Sequence, residues 1–236
     1  MARRPSPRRR VLLKVTGEGL GDGGFDPASL RSLAAEIAAL PRAGIECAVV
    51  PGAGNLVRGR DLPPDLVDRT VADAAGMLAT VANALVLAEA LRRAGTPARV
   101  LTAIPMPDVA EPFTAERARA CLAAGEVVLA GGGTGRPYFT TDTAAALRAL
   151  EVGASLLLKA TTVDGVYDRD PRRDPRARRF TRLSFDEALE RRLAVMDATA
   201  FTLCRENGLP VVVFSLRPAG NLARAAAGRP VGTRIG

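Results

Sequence analysis

Lysine is nearly absent from this chain, and its two lysines have similar surroundings. Of the 33 lysine and arginine residues, all but Lys14 and Lys159 are arginine. Each lysine follows a short apolar run, at 11–13 and at 156–158, that breaks into a loop of glycine or hydroxylated residues. Both are therefore predicted at the carboxyl end of a buried strand. A nucleotide phosphate held against a glycine loop suits a compact ammonium better than a broad, planar guanidinium. The competing interpretation is that both lysines are chance survivors of an arginine-rich composition.

Loops of small and hydroxylated residues follow four predicted strands, at 14–18, 52–55, 131–141 and 159–170. Glycine loops let consecutive backbone N–H groups point inward and bind an anion, and a helix that starts beside such a loop adds its positive end. The carboxyl ends of parallel strands share one edge of a sheet, where ligands bind. The four loops therefore predict a site for a polyanionic nucleotide. The Gly-Lys-Ser/Thr of a Walker A loop is absent, so the predicted phosphate site is of another kind.

Strands and helices alternate along the chain. Strands are predicted at 10–15, 45–50, 98–103, 126–130, 155–159 and 211–214, and helices at 26–40, 71–94, 114–123, 141–153, 184–192, 198–207 and 219–227. Such alternation is typical of βαβ units. It predicts a single-domain, three-layer α/β/α sandwich with a mostly parallel central sheet over residues 10–236. A basic, disordered tail is predicted at 1–9, and an edge strand at 232–235.

Composition excludes several classes of chemistry. The chain has no histidine, which removes a Ser-His-Asp triad, a histidine base and a typical zinc site. Cys47, Cys121 and Cys204 are odd in number and lie in apolar segments, as expected of reduced thiols in a cytoplasmic protein. No apolar stretch is expected to approach the roughly 20 residues of a membrane span. The net charge of +8 suits anionic partners, but the aromatic platforms that bind single-stranded nucleic acid are missing, so a solvated arginine surface is favoured.

Six segments carry a resemblance to a known family. They are residues 13–18 (LKVTGE), 52–59 (GAGNLVRG), 76–80 (GMLAT), 133–142 (GTGRPYFTTD), 163–171 (VDGVYDRDP) and 196–201 (MDATAF). In this order, over 10–235, they make the chain resemble the bacterial uridylate (UMP) kinases of the amino acid kinase superfamily. The resemblance implies that the chain transfers the γ-phosphoryl group of ATP to UMP, which gives UDP and ADP.

The resemblance also implies a role for each matching residue. The implied catalytic residues are Lys14, Arg58, Asp142 and Asp197. The implied ATP contacts are Lys14, Thr16, Gly17, Gly54, Arg58, Thr161, Tyr167 and Asp170. The implied UMP contacts are Ala53, Asp73, Thr134, Gly135, Arg136, Pro137, Tyr138, Phe139, Thr140 and Thr141. The resemblance further implies Mg²⁺ bound through the ATP phosphates, with no metal site built from side chains, and a homohexamer.

Several of these residues have plainer interpretations. Asp142 and Asp197 each lie where a helix N-cap is predicted. Asp73 lies in a mostly apolar helix, where a ligand role is favoured over a structural ion pair. Tyr167 is equally compatible with core packing, its hydroxyl pointing outward.

The chain also departs from the family pattern. Ala53 replaces a glycine, which matters if that position needs a positive φ or close backbone approach. Arg136 replaces a small polar residue, Pro51 replaces a β-branched residue, and the 19–25 loop is shorter than the family's loop linked to GTP activation. The alternative hypothesis is therefore a divergent nucleotide-binding paralogue with weak or no turnover, and a kinase of another small acid or phosphate is less favoured.

Overall fold

The computed structural model describes residues 9–57, 62–193 and 195–236. Within these ranges the strands are β1 (Arg10–Val15), β2 (Glu46–Pro51), β3 (Ala98–Thr102), β4 (Glu111–Pro112), β5 (Val127–Gly131), β6 (Leu157–Thr161), β7 (Arg182–Leu183), β8 (Val211–Ser215) and β9 (Thr233–Ile235). They form one sheet in the order β4-β3-β5-β2-β1-β6-β8-β9-β7. Every pairing is parallel except that of β8 with β9. The predicted mostly parallel sheet is confirmed.

Helices cover both faces of the sheet. They are α1 (Pro27–Arg42), α2 (Arg69–Arg93), α3 (Ala115–Ala123), α4 (Thr141–Val152), α5 (Phe185–Glu190), α6 (Ala198–Glu206) and α7 (Asn221–Ala226). One apolar cluster joins α1, α2 and α7 to the sheet, and a second joins α3, α4, α5 and α6 to the opposite face. The structure is therefore the three-layer α/β/α sandwich that the sequence predicts.

The alternation of side chains along β1 explains how a charged residue reaches the interior. Val11, Leu13 and Val15 belong to the cluster under α1 and α2, whereas Leu12 belongs to the cluster under α4. Successive residues of a strand face opposite sides of the sheet, so Lys14 shares the α4 face with Leu12. In β6, Leu157 packs in the α4 cluster, so Lys159 faces the same side.

The carboxyl-terminal strand is not at the edge of the sheet, so that prediction is wrong. β9 pairs with β8 on one side and with the two-residue strand β7 on the other. A two-residue strand carries no period-two pattern in the sequence, which explains why β7 and the equally short β4 escape prediction.

Helix α2 corrects the expectation about long apolar stretches. It spans 25 residues and is, among the described residues, the one helix long and apolar enough to cross a membrane by length and composition. However, it contacts α1, β3 and β5, and it buries two polar side chains, Thr80 and Asn83. These features are those of a core helix.

The predicted tail at 1–9 falls outside the described residues except for Arg9, whose carbonyl accepts a hydrogen bond from Glu46 N at 2.9 Å. The predicted domain begins at Arg10, where β1 begins.

Candidate active site

The strand order of the sheet changes direction at β1. The chain places β2 on one side of β1 and later places β6 on the other, so a crevice opens between the carboxyl ends of β1 and β6. Lys14 and Lys159 are direct register partners across this junction. The two lysines of the sequence therefore lie next to each other at the switch point.

The carboxylate of Asp142 lies between the two ammonium groups. Lys14 Nζ is 2.9 Å from Asp142 Oδ1, and Lys159 Nζ is 2.5 Å from Asp142 Oδ2. Lys159 also donates to the carbonyl of Val195 at 2.5 Å. All three side chains are largely buried. The exposed fraction is 10% for the Lys14 side chain, 12% for Lys159 and 14% for Asp142. The two ammonium groups and one carboxylate are therefore largely shielded from bulk water.

Burial and charge act in opposite directions on this cluster. Burial would raise the pKa of the Asp142 carboxyl, but Lys14 and then Lys159 outweigh it and hold the pKa below its ordinary value. Burial lowers the pKa of the Lys159 ammonium; Asp142 opposes this shift, and Lys14 adds to it. Asp142 is therefore an anion that holds two cations in place.

Asp142 is not the N-cap of α4, contrary to the plainer interpretation. Thr140 caps the helix, since its hydroxyl accepts from Asp142 N at 3.0 Å and Thr143 N at 3.3 Å. Asp142 lies in the first turn, where the positive end of the helix favours a carboxylate.

Asp197 is a helix N-cap, as its plainer interpretation predicts. Its carboxylate accepts from Ala200 N at 2.9 Å, at the start of α6. The hydroxyls of Thr140 and Thr143 also donate to it, at 2.5 Å and 2.9 Å. Asp197 therefore joins the N-terminus of α6 to that of α4, beside the lysine cluster.

Two glycine loops meet in backbone contact beside Lys14. A Cβ at Gly17 would overlap the backbone nitrogen of Gly54 and lie 2.7 Å from the carbonyl carbon of Ala53. A Cβ at Gly52 would lie 2.8 Å from Gly17 N. Glycine is therefore required at positions 17 and 52 for the backbones of the two loops to pack this closely. Ala53 is not among the described residues of positive φ, so its methyl group creates no backbone strain of that kind.

We expect Gly17→Ala to lower the free energy of unfolding by about 1–3 kcal/mol, as overpacking typically does. The added methyl group would push the 52–55 loop away from Gly17, so we also expect the catalytic rate of the protein to fall. Gly19→Ala is the matched control in the same turn, since a Cβ there would come no closer than 4.0 Å to Thr16 Oγ1. Urea denaturation of both variants measures the difference. Equal stabilities would show that the two loops part easily.

A cavity of about 470 Å³ lies in front of Lys14. The residues of the predicted site that line it are Lys14, Thr16, Gly17, Ala53, Gly54, Asp73, Phe139, Thr140 and Thr141. The structure therefore brings together parts of the predicted ATP and UMP sets around one space.

The loop from Gly133 to Thr140 borders this cavity and has an unusual backbone. Tyr138 has a φ of 70°, a conformation that costs a non-glycine residue about 1–2 kcal/mol. Its N–H donates to Asp73 Oδ2 at 2.8 Å, and Asp73 also pairs with Arg69 at 2.8 Å. Asp73 thus makes the ion pair that the sequence interpretation disfavoured, while it still lines the cavity.

Other residues of the predicted UMP set lie in this loop but do not line the cavity, namely Thr134, Gly135, Arg136, Pro137 and Tyr138. The hydroxyl of Thr134 accepts from Arg136 N at 3.2 Å, and the Arg136 side chain is exposed. Arg136 therefore adds no charge to the described lining of this cavity.

The predicted adenosine contacts lie apart from the first cavity. Thr161 lines a second cavity of about 600 Å³, which shares Thr16 with the first. Tyr167 and Asp170 line neither cavity. A hydrogen bond to Asp164, 2.6 Å long, raises the pKa of Tyr167. Arg58 lies outside the described residues.

Three polar residues at the site are missing from the sequence-based set of site residues, namely Lys159, Thr80 and Asn83. The sequence offered a sign of Lys159, because it follows an apolar run at the end of a predicted strand, as Lys14 does. The sign of Thr80 and Asn83 was weaker, since they are only polar residues within an apolar helical run. In the structure, Thr80 and Asn83 are hydrogen-bonded to the glycine loops.

The fold and site together define an α/β protein with two lysines and glycine loops at the switch point of a parallel sheet. The chain belongs to the amino acid kinase family, whose model matches residues 9–215.

Solved structures over nearly the whole chain are similar to it. A UMP kinase from Bacillus anthracis is 36% identical, with a TM-score of 0.93 over 98% of this chain and 96% of that one. A UMP kinase from Ureaplasma parvum is 32% identical, with a TM-score of 0.91 over 98% and 99%. A uridylate kinase from Archaeoglobus fulgidus is 27% identical, with a TM-score of 0.72 over 96% and 99%.

Proposed function

We propose that this protein is an ATP-dependent UMP kinase that converts UMP and ATP into UDP and ADP. The observation that carries the proposal is the largely buried Lys14–Asp142–Lys159 cluster, whose Lys14 lines a cavity bordered by glycine loops. The proposal agrees with the names of the similar structures from B. anthracis and U. parvum.

The reaction needs charge cancellation more than proton transfer. The phosphate of UMP is already ionised at neutral pH, so no base is required to form the nucleophile. The obstacle is repulsion between two polyanions, and phosphoryl transfer is catalysed mainly by positioning and electrostatic stabilisation. Lys14 contacts the transferred phosphoryl group, while backbone N–H groups of the glycine loops bind its oxygens. Asp142 orients Lys14 and does not act as a base.

The substrates divide between the two sides of Lys14. Thr16, Gly17 and Gly54 hold the ATP phosphates, with Arg58 neutralising phosphate charge and Thr161, Tyr167 and Asp170 on the adenosine side. UMP lies toward Ala53, Asp73 and the loop 134–141. Of the implied catalytic residues, Asp197 serves as a positioning residue, because its described contacts join α4 to α6.

Mg²⁺ accompanies ATP in this proposal. No group of three carboxylate, thiol or imidazole side chains able to hold a metal occurs in the described ranges. Mg²⁺ commonly keeps water and phosphate oxygens as ligands and does not need an all-protein cage, so the proposal assigns the ion to the ATP phosphates. The ion would neutralise phosphate charge.

Oligomerisation and location complete the proposal. We propose a homohexamer, supported by an apolar groove between α1 and α2 that is lined by Leu30, Leu85 and Ala90 among others. We also propose a cytoplasmic location, supported by three buried cysteines without disulfides.

A coupled assay of ADP release tests the proposed function. We expect turnover with UMP and ATP that exceeds turnover with CMP or AMP as acceptor by at least about tenfold, the discrimination that one well-made polar contact supplies. Thermal-shift measurements with UMP, ATP and UTP accompany the assay. Stabilisation by UMP without ADP release would favour the nucleotide-binding paralogue, and stabilisation by ATP alone would exclude UMP as the acceptor.

A further inference from the structure

Helix α2 buries two polar side chains on the side that faces the site. Thr80 is 2% exposed and Asn83 is 0% exposed, within a helix whose other buried residues are alanine, valine and leucine. Side chains three residues apart lie on the same face of a helix. A buried polar group without a partner is destabilising, so the partners of these two residues show what they do.

Asn83 is hydrogen-bonded to the 52–55 glycine loop, which carries Gly54 of the proposed ATP contacts and Ala53 of the proposed UMP contacts. Its Nδ2 donates to the carbonyl of Gly52 at 2.7 Å and to Asn55 Oδ1 at 2.7 Å. Asn55 Nδ2 donates back to Asn83 Oδ1 at 3.1 Å and also to the carbonyl of Gly24 at 3.0 Å. Asn55 is itself only 3% exposed. This reciprocal amide pair fixes the 52–55 loop to α2.

Thr80 is hydrogen-bonded to the loop on the UMP side. Its hydroxyl donates to the carbonyl of Met77 at 2.6 Å and accepts from Gly132 N at 2.9 Å. Gly132 begins the loop that leads to Thr140. The Thr80 side chain borders the cavity, but its hydroxyl is engaged by these two backbone groups.

The close contact between α2 and β5 fixes the distance between the helix and the start of the loop that follows β5. A Cβ at Gly131 would lie 3.0 Å from the Cα of Val81, so the end of β5 rests directly on α2. Gly132 therefore leaves the sheet at a set distance from the helix, and Thr80 fixes the next peptide group.

We infer that Thr80 and Asn83 are positioning residues, in which Thr80 sets the loop for UMP and Asn83 sets the loop for the ATP phosphates. The inference rests on the proposed function for the assignment of the two loops to UMP and ATP. One turn of α2 then determines the separation between the two substrates, because both loops are hydrogen-bonded to the same rigid element. A small error in this separation is costly for a transfer between two bound groups.

Thr80→Val and Thr80→Ser form the matched test. Valine keeps the shape and removes the hydroxyl, whereas serine keeps the hydroxyl. We expect Thr80→Val to raise KM and Kd for UMP about tenfold, as the loss of one buried hydrogen bond does, with the values for ATP changed less than about twofold. We expect Thr80→Ser to retain wild-type values. Hydrogen exchange adds a readout without ligand: the 131–138 segment should exchange faster in Thr80→Val, and the 52–57 segment should not.

Asn83→Leu provides the reciprocal test. We expect it to raise Kd for ATP more than Kd for UMP, because the same loop also carries Ala53, and to speed exchange in the 52–57 segment. Equal losses for both substrates in both variants, or unchanged values in Thr80→Val, would overturn the inference while leaving UMP kinase activity established. Absence of UMP binding by the wild-type protein would overturn both the inference and the proposed function, so the two failures are distinguishable.

Discussion

Replacing Asp142 with asparagine is expected to lower kcat by about 10²–10³, the loss typical when a preorganised electrostatic group is removed. The carboxylate holds Lys14 at 2.9 Å and Lys159 at 2.5 Å. Asparagine keeps the size of the side chain but leaves two buried ammonium groups without an anion between them. They repel each other, and Lys14 moves away from the position that the transferred phosphoryl group requires.

The same substitution is expected to destabilise the ligand-free protein. Removing one partner of a buried ion pair typically costs about 3–5 kcal/mol, because the remaining charge is uncompensated. ATP brings phosphate charge to the same lysines, so ATP should raise the melting temperature of Asp142→Asn more than that of the wild type.

The stability deficit of Asp142→Asn should narrow as pH rises. The pKa of Lys159 is already lowered by burial, and loss of the Asp142 charge lowers it further. Between that lowered pKa and the ordinary lysine pKa, the folded state binds fewer protons than the unfolded state, so the stability of the variant rises with pH. Denaturation with urea at pH 7 and pH 9.5 measures this change.

Glu111→Gln is the control for the Asp142 experiment. Glu111 also lies between two cations, Arg99 and Arg117, but at an exposed position, where an ion pair contributes about 0–1 kcal/mol. We expect wild-type kcat from Glu111→Gln and no change in its stability relative to the wild type between pH 7 and pH 9.5. A small loss of kcat in Asp142→Asn, comparable with that control, would contradict the assigned role of the carboxylate.

The layers of the fold were predictable because they depend on local patterns. The helices begin and end close to their predicted bounds, because residues that favour helix N-caps can be recognised in the sequence. The side chains of Asp26, Thr114 and Ser184 each accept a hydrogen bond from a backbone N–H in the first turn of a helix. The apolar strands alternate with these helices. The position of β9 was mispredicted because its outer neighbour, β7, has only two residues.

The site was predictable to the extent that its residues lie in loops with an unusual composition. Lys14, Gly17 and Thr140 were found in this way and line one cavity. The contacts between these loops were not predictable. The ion pairs of Asp142 depend on the register that places Lys14 beside Lys159, and the requirement for glycine at position 17 depends on the approach of Gly54. Such long-range contacts follow from the packing of the sheet and have no local signature.

Replacing Lys14 with arginine is expected to lower kcat by about 10²-fold or more while the protein stays folded, since removal of one donor to a transition-state oxyanion has an effect of this size. Arginine keeps the positive charge that pairs with Asp142, so most of the stability should remain. The guanidinium is broader than the ammonium, and the position is 8% exposed between β2 and β6. The planar group would therefore place its charge and its donors away from the position that Nζ occupies.

Steady-state kinetics and thermal denaturation of Lys14→Arg separate these two effects. We expect a large fall in kcat, a change in the melting temperature of a few degrees and retained ATP binding. Arg92→Lys, an exchange of the same two residue types at an exposed surface position, should leave both quantities unchanged. If Lys14→Arg turned over at the wild-type rate, a broad cation would suffice at this position. The retention of lysine there would then reflect chance, and Lys14 would have no role that depends on its compact shape.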